Sequence, residues 1–121
     1  MATTKTIGID WHGLAVRPTA QYTSDAAIAG AIVRDVPCVL AGFIATNANA
    51  ATRFIQVHDS KTVPADGAVP LMSFKIAAGE QYVLSEVPLP LSNGLYICLS
   101  TTQNTKTLAG ADMVLLAYTR P

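Results

Sequence analysis

The chain has 121 residues, 50% of them hydrophobic and only 13% charged, with eight basic and eight acidic side chains that sum to a formal net charge of zero. That length suits one compact domain, and the apolar fraction is enough to close a core, which excludes disorder for the bulk of the chain. A neutral chain without a basic run lacks the electrostatic footprint of nucleic-acid binding, and no stretch reaches the roughly 18 consecutive apolar residues of a spanning helix, so neither nucleic acid nor membrane is an expected partner.

A typical soluble domain is about 25% charged. The surface here falls instead to Ala, Thr, Ser and Asn. Short uncharged side chains give up little hydration and little rotamer entropy when they enter a contact, so a homo-oligomer or larger assembly is expected. Met1 to Thr6 lack the apolar core of a signal peptide, which predicts a product made and folded in a cytoplasm.

Residues Met1 to Pro18 show no clear period and surround the only Trp with Thr and Gly. They predict an extended N-terminal arm over residues 1–20, ahead of a β-sandwich domain over 21–121. Trp11, with His12 beside it, either tucks against the core of its own chain or anchors the arm in a partner's pocket, since aromatic side chains dominate interface energetics. Asp25 to Arg34 mixes helix-favouring Ala with Ile28, Ile32 and Val33. It is read as strand, because Pro37 bars a helix from running into the β-prone run that starts at Cys38.

From Cys38 onward, short β-prone runs alternate with turn signals, the pattern of sandwiches and barrels. The runs are Cys38 to Thr46, Arg53 to His58, Leu71 to Ile76, Gln81 to Val87, Gly94 to Thr101 and Asp112 to Thr119. Asn47-Ala48-Asn49, Pro64-Ala65-Asp66-Gly67, Ala78-Gly79, Asn93-Gly94 and Leu108-Ala109-Gly110 separate them with residues that accept positive φ or preset a turn. Met72, Phe74 and Ile76 oppose Ser73 and Lys75, and Ile55 and Val57 oppose Gln56 and His58, which is the period of a half-buried strand. Leu95 to Leu99 and Met113 to Leu116 are apolar on both faces, so they are central strands or strands whose outer face meets another subunit. Pro88 and Pro90 mark a sheet edge or a crossing between sheets. Cys38 and Cys98 share no metal or redox spacing and are read as buried free thiols.

No catalytic chemistry emerges. The two histidines, His12 and His58, have no third and fourth metal ligand at recognisable spacing. Nucleophile elbows and phosphate-binding glycine loops are missing, and nothing in the spacing selects a pair of acid and base carboxylates from Asp35, Asp59, Asp66, Glu80, Glu86 and Asp112. No enzyme activity, cofactor or metal is therefore expected. The strand Arg53 to His58, with Asp59 at its end, reads either as an ordinary strand with polar ends or as an interface strand whose Arg53 and Gln56 meet a neighbour. A sugar site stacked on Tyr22, Tyr82 or Tyr96 is the minority alternative. Interface candidates are thus Trp11, His12, Arg53, Gln56 and Tyr96.

The segments Ala45-Thr46-Asn47-Ala48-Asn49-Ala50-Ala51-Thr52-Arg53-Phe54-Ile55-Gln56-Val57-His58-Asp59, Val63-Pro64-Ala65-Asp66-Gly67-Ala68-Val69-Pro70 and Gly94-Leu95-Tyr96-Ile97-Cys98-Leu99-Ser100 resemble small β-sandwich structural proteins of tailed bacteriophages over roughly residues 38 to 120. The resemblance implies a virion structural role, often as a decoration or cement protein on the outer capsid and commonly as a trimer. It transfers no catalytic residue. Together with the composition it predicts an all-β, antiparallel, jelly-roll-like sandwich that partners the major capsid protein and itself. A receptor- or carbohydrate-binding module, such as a head-fibre or tail component, is the alternative. A cupin-like metalloenzyme built on His12 and His58 comes third.

Overall fold

The computed structural model describes the backbone of residues 2–9, 15–85 and 88–121, and the side chains of residues 20–85 and 88–121. Among these residues there is no helix, and ten strands form two sheets: β1 (Ala2–Ile9), β2 (Ala15–Ser24), β3 (Gly30–Arg34), β4 (Cys38–Asn47), β5 (Arg53–His58), β6 (Met72–Ile76), β7 (Gln81–Leu84), β8 (Leu89–Leu91), β9 (Leu95–Ser100) and β10 (Met113–Arg120). The first sheet runs β1-β2-β10-β4-β7, with β8 on β4 beside β7, and the second runs β3-β9-β5-β6. Every pairing is antiparallel.

Side-chain alternation explains why these sheets face each other. Along β10, Met113, Leu115, Ala117 and Thr119 are buried while Val114 is exposed, and along β4 the buried set is Cys38, Leu40, Phe43, Ala45 and Asn47. Both strands thus turn a continuous apolar row inward. The second sheet answers with Ile55 and Val57 from β5 and with Leu95, Ile97 and Leu99 from β9, all within one core cluster. Complete burial of each Leu, Ile or Phe contributes about 1.5–3 kcal/mol, so this two-layer contact is what holds the β-sandwich. Phe43 extends it sideways, with ring centroids 5.9 Å from Phe74 and 6.1 Å from Tyr82.

The shift of periodicity on β4 between Leu40 and Phe43 has a local cause. Tyr118 pairs with Gly42 and Thr119 with Leu40, so Ala41 is the extra residue of a β-bulge. A Cβ on Gly42 would lie 2.6 Å from the Leu84 carbonyl oxygen, so only glycine admits β7 this closely. Among the described glycines, positive φ occurs at Gly67 and Gly79, the glycines of the Asp66-Gly67 and Ala78-Gly79 turns.

The expected runs from Cys38 onward contain strands, that expected over Gln81 to Val87 being strand over Gln81–Leu84 with Glu86 and Val87 outside the described residues, and β9 and β10 are central in their sheets as their two-sided apolar character requires. From Cys38 onward one strand lies outside the expected set: Leu89–Leu91 pairs with β4 in spite of Pro90, because β8 is an edge strand and its free side needs no donor. Of the ambiguous Asp25 to Arg34 stretch, only Gly30–Arg34 is strand, and Ile28 forms an isolated bridge to Met113. The expected arm contains β1 and the first half of β2, which pair with each other. The boundary expected at residue 20 falls inside β2, where Ala20 pairs with Thr119, the last pair that β2 makes with β10. Cys38 and Cys98 are buried free thiols.

Candidate interaction surface

The sandwich has two outer faces, and the chain treats them differently. On the second sheet, the outward residues of β5 and β9 include Gln56, His58, Tyr96, Cys98 and Ser100, and all are buried. What covers them is a pair of long connections, 59–71 and 101–112. These meet through Gly67 N–H donating to the Lys106 carbonyl and Lys106 N–H donating to the Ala68 carbonyl, each at 2.7 Å.

Buried polar side chains hold this cap down. Gln56 Nε2 lies 2.9 Å from the Thr102 carbonyl oxygen, 3.2 Å from that of Gln103 and 2.9 Å from that of Thr105. Ser100 Oγ donates to the Thr102 carbonyl and accepts from the amides of Thr102 and Thr107. Lys106, only 3% exposed, donates to the Pro64 carbonyl at 2.7 Å, reaches Asp66 Oδ1 at 3.2 Å, and lies 5.8 Å from the centre of the Tyr96 ring. Asp59 ties the start of 59–71 to the β8–β9 turn by accepting amide donations from Ser92, Asn93 and Gly94. Burial opposes its ionisation, but those three amides outweigh it and hold the carboxyl below the ordinary range.

Among the described residues, nothing covers the outer face of the first sheet in this way. Cross-strand register places Val114 of β10 beside Thr46 of β4, Leu116 beside Ile44, Tyr118 beside Gly42 and Arg120 beside Val39, and it places Ile44 beside Val83 of β7. Val83 and Val114 are exposed by 57% and 45%, while Ile44, Leu116 and Tyr118 are half-buried. Arg120 is the one charged side chain among the described residues of this face. An open cleft of about 330 Å³ lies over the bulge, lined by Gly42, Ile44, Val83, Leu84, Tyr118 and Arg120 among others.

The sequence-predicted candidates separate accordingly. Trp11 and His12 lie outside the described residues. Arg53 is half-buried, donates from Nη1 to the Thr52 carbonyl at 3.0 Å, and has a buried Nε without a hydrogen-bond partner among the described residues. Gln56 and Tyr96 require correction as surface candidates, since they are 0% and 2% exposed. The strand period places them on the outward side, but the cap closes over them, so they shape a surface only by holding loops. Of the three alternative stacking residues, Tyr22 and Tyr82 are half-buried and Tyr96 is buried. Tyr22 packs on the core from β2, Tyr82 packs against Phe74 at 4.8 Å from β7, and Tyr96 is buried on the far side of the second sheet.

Lys106 and Ser100 are not singled out by sequence, because a lysine in a Thr- and Asn-rich turn carries no local mark of burial. The open face does leave a mark, the two-sided apolar run Met113 to Leu116. Among the described residues no cluster of three or more His, Cys, Asp or Glu could hold a metal ion. Burial pushes the Cys98 thiol and the Tyr96 hydroxyl up to about 12, which keeps both neutral. Compared with known proteins, the chain matches no family model and no curated sequence.

Proposed function

We propose that this chain is a non-enzymatic virion structural protein, a capsid decoration or cement protein that binds the major capsid protein and further copies of itself through the open face of the first sheet. The observation that carries the proposal is the contrast between that face, apolar and nearly free of charge, and the capped face behind it. An exposed apolar surface rimmed by small uncharged residues gains free energy on burial and loses little hydration. By binding only the assembled shell, the protein would stabilise that state through linkage.

The strand order supports the fold expected of such a protein. With β2 taken as the first strand, β2 pairs with β10, β3 with β9, β4 with β7 and β5 with β6, while β10 meets β4 and β9 meets β5. This nesting of outer pairs around inner ones supports a jelly-roll-like reading, an architecture used by viral capsid proteins and lectins. Fold alone does not choose between those uses.

The test is light scattering coupled to size-exclusion chromatography, followed by sedimentation with purified phage capsids. A homo-oligomer, with a trimer favoured, that co-sediments with shells is the expected result. A chain that stays monomeric at high concentration and ignores capsids overturns the proposal.

A further inference from the structure

We propose that His58 is an acid-sensitive latch: its neutral ring closes the two-loop cap over the second sheet, and its protonation opens that cap. This inference concerns the cap alone and does not depend on what the protein binds.

The geometry fixes the proton on the ring. His58 is 3% exposed, and its Nε2 lies 3.1 Å from Gln56 Oε1. The Gln56 amide cannot be turned round, because its nitrogen faces the carbonyl oxygens of Thr102, Gln103 and Thr105, which only accept. Gln56 Oε1 must therefore face His58, and an amide oxygen cannot donate. The neutral imidazole carries its hydrogen on Nε2, leaving Nδ1 as the position that takes up a second proton.

Among the described residues no carboxylate is paired with the ring to receive the resulting charge. From β9, the Tyr96 ring stands edge-on at 5.8 Å, and both it and Cys98 ionise only near 12, so neither supplies an anion. From the 101–112 connection comes a cation, Lys106. From 59–71 comes Asp66, whose carboxylate is 3.2 Å from Lys106 Nζ and 63% exposed. Asp59, next in the chain, is turned to the amides of residues 92–94. A second buried cation beside Lys106 is thus uncompensated. Parting the two connections relieves this by hydrating His58 and Lys106, and it breaks the Gly67–Lys106 and Lys106–Ala68 backbone bonds without touching the core between the sheets.

Burial first, and the Lys106 charge second, hold the imidazole below its ordinary value of 6.5 while the cap is closed. Above 6.5 the ring is neutral whether the cap is closed or open, and pH has no effect through it. As the pH falls from 6.5 toward the lower closed-state value, the open form binds one more proton than the closed form. Opening is then favoured by up to about tenfold per pH unit, the limit for one linked proton. Below the closed-state value the dependence ends.

The test is amide hydrogen exchange by NMR on the full chain between pH 7 and pH 5, corrected for the intrinsic pH dependence of exchange. The amides of Gly67 and Lys106, which bond across the two connections, report cap opening, and those of β9 serve as the reference. Protection at Gly67 and Lys106 is expected to fall by up to about tenfold per unit in the wild type, with β9 unchanged, and to be flat in His58→Gln. A flat wild-type profile, or an equal slope in the variant, overturns the latch. Should His58→Gln leave the cap open at every pH, the wild-type imidazole titration decides. A value below 6.5 with the cap closed sustains the proposal, and one at or above 6.5 overturns it.

Discussion

The two outer faces of this sandwich differ in that the chain's own loops seal that of the second sheet, while no described residue seals that of the first. On the second sheet the period-2 alternation puts Gln56, His58 and Ser100 outward. These polar groups could have faced water, but the 59–71 and 101–112 connections fold back and turn them into anchors for loop carbonyls and amides. On the first sheet the outward positions are dominated by Val83, Ile44, Val114 and Leu116, which offer a loop nothing to hydrogen-bond, with polar groups only at scattered positions such as Thr46, Tyr118 and Arg120. A polar outer face recruits a cap because loops carry unpaired backbone groups that need partners. An apolar one is covered only by another apolar surface.

If that contrast is right, substitutions on the capped face should alter stability and those on the open face should alter association. The largest effect is expected from Gln56→Leu. It strips the donor from three loop carbonyls, and denaturant unfolding should show a loss of about 3 kcal/mol. Gly42→Ala comes next, because a methyl group at the bulge meets the Leu84 carbonyl at 2.6 Å and forces β7 away from β4. A loss of about 2 kcal/mol is expected in the same measurement. Lys106→Met should cost less, about 1 kcal/mol, since losing the bonds to Pro64 and Asp66 is partly offset by no longer burying an ammonium group. Smallest of all, Val83→Thr and Val114→Thr should leave stability within about 0.5 kcal/mol while weakening self-association measured by light scattering.

Much of the fold is legible in the sequence because it rests on local signals. Alternation in Ile55 to His58 and Met72 to Ile76, and turn residues such as Asp66-Gly67 and Asn93-Gly94, locate strands whatever their partners. The short β8 is hidden by Pro88 and Pro90, which read as punctuation when only a sheet edge can tolerate them. The first half of β2 is hidden because Ala15 to Thr19 and their partners in β1 form a ladder with no sequence period to mark it. The open face is visible as the two-sided apolar run at Met113 to Leu116. The cap is not, since it depends on two connections 42 residues apart meeting at Lys106 and Pro64. Gln56 therefore falls on the expected side of its strand, yet both it and Tyr96 lie beneath the molecular surface.

The most direct test of the central claim places a charge on the bare face without disturbing the capped one. Val83→Lys combined with Val114→Lys should melt and unfold as the wild type does, yet run as a monomer in size-exclusion chromatography with light scattering under conditions where the wild type is a larger species. A double variant that keeps the wild-type mass and assembly would show that the open face of the first sheet is not the contact surface, and the account would fail there.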